Sequence, residues 1–240
     1  MQLYEIKEKC IKHYKKIILI SVIIIFVVFS NCIIDGKIVC RFATEFHSIN
    51  ITEKDFDNIR GLYFLKKMSV DCWNIDNVSF LENKNFLKYF SVDSNSIDDW
   101  SSLKNCPKLE YFYADGDITF HNLKDFSDME NLKNLCIGTL LSMPKIESLD
   151  GLQDISKSLE KLTLNGIQNE TFLNLEKFSN LKNLDVQNSS LNALQVNSYL
   201  ENLNISNNPY LKNVYLPADY GTPENITMDN SPYVNIIYYK

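Results

Sequence analysis

Aspartates at positions 71, 93 and 115 recur every 22 residues, and tyrosines at 89 and 111 keep the same interval, with Tyr113 beside them. Carboxylates set at a fixed period offer negative charge and hydrogen-bond acceptors, and tyrosines are the rigid amphipathic anchors that dominate macromolecular interfaces. Residues able to break bonds are harder to find. The three histidines, His13, His47 and His121, stand near no second ligand type at metal spacing, and no phosphate loop, GxSxG or HExxH is present. Three in-line carboxylates without further oxygen ligands make a poor calcium cage. Of six cysteines none forms a CxxC; Cys106 falls at an apolar position and is predicted to fill core, and Cys136 is predicted to turn outward. Cys40 and Cys72 are far apart in the chain, and spacing leaves a disulfide and two free thiols equally open. The expectation is therefore a binding surface made of Asp71, Tyr89, Asp93, Tyr111, Tyr113 and Asp115, with no catalytic residue, cofactor or metal.

The elements that must carry these side chains follow from a six-residue phrase that returns eight times, opened by Leu65, Leu87, Leu109, Leu132, Leu159, Leu181, Leu200 and Leu211. Its second residue is always Lys or Glu, and its fourth and sixth are apolar, as in Phe90 and Val92. Period two predicts strands whose alternate residues face a core. Between strands the apolar spacing becomes three, as in Trp100, Leu103, Cys106 and Leu109, which suits a short 3₁₀ return; Phe172, Leu175, Phe178 and Leu181 read the same way. Past residue 184, apolar pairs about ten residues apart predict two strands per coil. A coil of about 22 residues cannot bury enough to offset its own ordering entropy, so the array must be stable collectively, with covers at both ends. Residues 35–64 are assigned to the first cover, with Thr52 as N-cap and Asp55 as its partner for a helix through Arg60; 65–216 are the repeats, and 217–240 the second cover.

Residues 17–34 carry no charge and, as a helix, would reach roughly 27 Å, close to the apolar thickness of a bilayer. Five lysines between Lys7 and Lys16 precede them, so residues 1–16 are expected to remain cytoplasmic as a basic tail and the repeats to lie outside. A retained anchor, a cleaved signal and a lipid-bearing Cys32 all remain open. A net charge of −6 without a basic patch beyond residue 16 excludes a nucleic-acid partner.

The stretch from Ile97 to Phe112 (IDDWSSLKNCPKLEYF) resembles the 22-residue leucine-rich repeat of internalin-like bacterial surface proteins, and the similarity covers residues 65–216. Asn95 and Asn208 fall where that family stacks an asparagine ladder, Asp117 and Ser189 substitute for it, and Trp73, Leu140 and Ile167 depart from it. The resemblance implies an α/β solenoid: a horseshoe with a parallel concave sheet and a 3₁₀ or short-helix convex side, here preceded by one N-terminal apolar helix. It also implies that the concave face binds another protein or a surface glycan, as in recognition or adhesion. A structural envelope scaffold, or an intracellular phosphatase-type regulator on the same repeat, is the alternative; residues 17–34 conflict with the latter.

Overall fold

The computed structural model describes residues 16–21, 31–34, 36–139, 142, 144–196, 199–218, 220 and 225–239. The basic tail up to residue 15, most of the apolar run, Cys10, His13 and Leu140 lie outside these residues. Residues 16–21 are helical and exposed. Among the described residues no helix is long and apolar enough to cross a membrane.

In chain order the strands are β1 (Asn31–Ile34), β2 (Lys37–Cys40), β3 (Glu45–Ile51), β4 (Lys67–Cys72), β5 (Tyr89–Ser94), β6 (Tyr111–Gly116), β7 (Thr119–Phe120), β8 (Asn134–Ile137) and β9 (Lys145–Ile146). They continue with β10 (Lys161–Asn165), β11 (Phe172–Leu175), β12 (Asn183–Gln187), β13 (Ala193–Val196), β14 (Asn202–Asn204), β15 (Asn213–Pro217), β16 (Ile226–Thr227) and β17 (Asn235–Tyr239). Nine of them form one long parallel sheet, ordered β16-β14-β12-β10-β8-β6-β5-β4-β3. The fourth and sixth residues of the first seven phrases, from Met68 and Val70 to Leu203 and Ile205, are all buried beneath it. The charged second residue marks the stacking: its N–H donates to the carbonyl of its counterpart one coil back, from Lys88 to Lys66 at 2.8 Å through to Glu201 to Lys182 at 2.7 Å. Its alternating signs also place Lys88 Nζ 2.6 Å and Lys133 Nζ 3.7 Å from the Glu110 carboxylate.

The returns on the other side are of two kinds. In the first half they are 3₁₀ turns at Ser79–Leu81, Ser101–Asn105, Lys124–Phe126 and Leu152–Ile155, as period three predicts. In the second half they are strands, which form a second parallel sheet ordered β11-β13-β15-β17. Two strands per coil are thus present, and they begin earlier than residue 184. Phe172 opens β11 and is exposed, while Leu173 and Leu175 are buried, so this return is extended and not 3₁₀.

Three boundaries need correction. Leu211 does not open an eighth strand of the long sheet: Lys212 N–H bonds Asn192 O, not Glu201 O, and β15 pairs with β13. Its interval of 11 is half a coil. The described part of 217–240 does not stand apart as a cover, because β16 extends the long sheet and β17 the second one. At the other end, residues 31–34 are not part of a spanning helix; they form β1, antiparallel to β2, with Cys32 and Ile34 buried against the fold. The Cys32 thiol lies 3.7 Å from Val39 O and 3.9 Å from Asn58 O. The N-terminal cover also contributes β3, the edge strand of the long sheet. Its helix runs Phe56–Arg60 after a 3₁₀ turn, and Asp55 Oδ2 accepts both the Thr52 N–H and its hydroxyl at 3.0 Å.

Candidate functional site

The outward residues of the long sheet form three columns, because in-register parallel strands put equivalent positions side by side. The first runs Lys67, Tyr89, Tyr111; the second Ser69, Ser91, Tyr113; the third Asp71, Asp93, Asp115. All six residues singled out in the sequence therefore share one face of three adjacent strands. The Tyr89 and Tyr111 rings lie 6.4 Å apart, and Lys67 Nζ stands 5.2 Å from the centre of the Tyr89 ring. Four residues of strand, roughly 13 Å, separate the tyrosine column from the aspartate column, with the two serines forming a low floor between them.

The aspartates are not equivalent. Asp115 accepts hydrogen bonds from the Tyr113 hydroxyl at 3.0 Å, from Gly116 N–H at 2.9 Å and from Thr139 Oγ1 at 3.1 Å. Burial would raise its pKa, but these bonds and one from Ser142 hold it below the usual carboxylate value. Asp93, in the middle, is pushed up by burial first and then by the charges of Asp115 and Asp71 on either side. The Tyr113 phenol is held protonated by burial and by the neighbouring Asp115. Tyr113 is thus a fixed prop that aims Asp115, whereas Tyr111 is 41% exposed and presents its ring to solvent. Gly116 closes β6 with φ +98°, and a Cβ there would stand 1.9 Å from Ser94 O; only glycine lets the chain turn so close to the previous coil. Beyond it, Asp93, Asp115, Asp117, Thr139, Ser142 and Lys145 line an open depression of about 700 Å³. The loop that provides Thr139 and Ser142 belongs to the longest coil, whose extra residues the sequence shows as an interval of 27. Asn165 ties this loop down by donating to Thr139 O and Ser142 O.

Among the described residues no group of three His, Cys, Asp or Glu is placed to hold a metal ion. His121 is exposed and bonded to Glu147 at 2.8 Å, which raises its pKa. Cys106 is buried as predicted, Cys136 lies on the outward face, and Cys40 and Cys72 are both free thiols, Cys72 within the core. The asparagine ladder is only half as predicted. Asn208 is fully buried and its Oδ1 accepts from Ser189, but Asn95 and Asp117 are exposed. Strands β4 and β5 run to six residues, so alternation turns Cys72 and Ser94 inward and leaves the next residue in solvent.

No family profile and no curated protein matches the chain. Among solved structures, a leucine-rich-repeat protein of Leptospira interrogans matches at a TM-score of 0.36 and 11% identity, over 80% of this chain and 72% of that one. The chain's own geometry, coils of about 22 residues with in-register parallel strands and 3₁₀ returns, defines a leucine-rich-repeat solenoid. Folds of this class expose one long sheet face as a continuous surface, which here carries the tyrosine and aspartate columns.

Proposed function

We propose that the chain is a membrane-tethered recognition protein which holds the outward face of its long sheet, as the concave wall of a horseshoe, toward another protein or a surface glycan outside the cell. It acts by binding and not by catalysis. The observation that carries this reading is the in-register pairing of Tyr89 with Tyr111 on the same face as the Asp71, Asp93 and Asp115 column. Exposed aromatic side chains beside fixed carboxylates combine apolar contact with orientation-dependent hydrogen bonding, the composition of an interface centre. The uncharged residues 17–30 and the lysines before them support tethering and outward display, and the resemblance of the repeat to internalin-like ones supports adhesion.

Two measurements test it. Protease added to intact cells should digest residues 35–240 while a tag placed before residue 16 survives; protection of the repeats would reverse the orientation. In the same cells, a photocrosslinking amino acid at Tyr111 should capture a discrete species that one at Lys157, in a return between strands, does not. Identical products at both positions would exclude the columns as the binding surface.

A further inference from the structure

One position of successive coils is occupied by phenylalanine three times over. Phe42, Phe64 and Phe86 follow each other at 22 residues, the last two directly before the leucines that open their phrases. Their rings stack along the array at 5.9 Å and 6.4 Å, yet they remain 53%, 45% and 44% exposed. In the next coil the position is Lys108, whose Nζ lies 5.0 Å from the centre of the Phe86 ring. Then come Asn131, Ser158 and Asn180, and an aromatic returns only at Tyr199. The two asparagines tie their coils to the previous one by donating to Pro107 O and Lys157 O. An amide at this position therefore links coils as a phenylalanine stack does, without exposing apolar surface. Stacking alone does not account for phenylalanine in the first coils and polar residues in the middle ones.

Those first coils are set apart by where they lie in the chain. β1 opens immediately after the uncharged run 17–30, and β2, paired with it, ends two residues before Phe42. The hairpin adds Ile33 and Ile38, paired in register and both exposed. Among the described residues, eight large hydrophobic side chains are exposed between residues 31 and 86, against Tyr111 alone between 87 and 171. Exposed apolar surface of this kind marks contact with something else; it recurs from residue 172 onward, but the stretch between 31 and 86 is the one that adjoins the segment richest in apolar residues. Lys37, Arg41 and Lys108 supply cations at its margins, suited to an anionic headgroup layer. We infer that the Phe42–Phe64–Phe86 column rests on the lipid surface that residues 17–30 enter, so that the first coils lie along the bilayer instead of standing away from it. The inference rests on the membrane-tethered reading above. It leaves the tyrosine and aspartate columns, on a different face of the same coils, open to a partner.

The full-length chain carrying Phe64→Trp, and separately Phe86→Trp, is reconstituted in vesicles of phosphatidylcholine and phosphatidylglycerol, and emission is compared after brominated phosphatidylcholine replaces the ordinary lipid, with the parent chain's signal subtracted. Tyr210→Trp, in a distant coil, is the control. The expected result is loss of emission at 64 and 86 and none at 210. Chain recovered with the vesicles but unquenched at 64 and 86 overturns the column's contact with lipid and leaves the tether standing. Chain not recovered with the vesicles overturns both. An emission change at 64 that follows protein concentration and ignores the lipid assigns the column to a second copy of the chain, and also overturns it.

Discussion

Lys84 is a full positive charge with no exposed surface. Its ammonium spends three donors on the carbonyls of Ile59 at 2.9 Å, Arg60 at 3.3 Å and Glu82 at 3.1 Å. Two of those acceptors are the last carbonyls of the Phe56–Arg60 helix, the end where the helix dipole favours a cation. Burial nevertheless pushes its pKa down to about 8 from 10.5. The unfolded lysine keeps its proton to about 10.5 and the folded one to about 8, so between these values the unfolded state binds more protons and stability rises with pH. The expected outcome is a urea midpoint that climbs across that window more steeply for the wild type than for Lys84→Met; parallel curves would show that the buried ammonium is not held as described. The repeat did carry a sign of this residue: Lys84 lies 22 residues before Cys106, at a position the period assigns to the core. Its charge hid the signal, because lysine is rarely buried without a dedicated set of acceptors.

At the scale of elements, asparagine does two separate jobs. Asn74, Asn83, Asn188, Asn207 and Asn230 adopt positive φ, the left-handed conformation that asparagine tolerates better than most residues. Asn208 is instead a buried staple. Its Nδ2 donates to Val186 O at 2.7 Å, Ile205 O at 2.9 Å and Ser206 O at 3.2 Å, while its Oδ1 accepts Ser189 N–H at 3.0 Å. Ser231 continues the stack, its hydroxyl bonding both Asn208 N–H and Ile205 O. Asn208→Ala strands several buried groups at once and is expected to lower stability by about 2–4 kcal/mol in urea unfolding. Asn95→Ala, at the exposed counterpart, should cost no more than about 0.5 kcal/mol. Equal losses would mean that the ladder extends through the first half after all. The abundance of asparagine was legible in the sequence, but its division between turn and staple depends on strand length, which alternation along β4 and β5 settled only in three dimensions.

For the whole molecule, stability is shared between neighbouring coils, since each buries its apolar face only against the next. The middle coils have partners on both sides, and an aromatic cluster of Trp100, Phe112, Phe120 and Phe126 packs through them at ring distances of 4.4–6.2 Å. Among the described residues the C-terminal coil has only a two-residue strand β16 and a β17 without a fully buried residue. Hydrogen exchange should therefore be graded along the array, with amides of β16 and β17 exchanging first and those of β5, β6 and β8 last. Uniform protection would point to a single cooperative core.

The sequence by itself determined the coil length, the buried face, the 3₁₀ returns of the first half and the shared face of Asp71, Tyr89, Asp93, Tyr111, Tyr113 and Asp115. A repeat makes these local: equal spacing and period-two alternation force equivalent residues into the same column. Only the tertiary structure decided which sheet the Leu211 phrase joins, because an apolar pair in strand spacing fits either side of a two-stranded coil and the choice rests on backbone pairing across coils. It likewise decided that Asn31–Ile34 leaves the apolar run to become a strand, that Tyr113 bonds Asp115 while Tyr111 stays more exposed, and that the phenylalanines of the first coils remain exposed. These outcomes depend on distances between residues far apart in the chain, which no local pattern encodes.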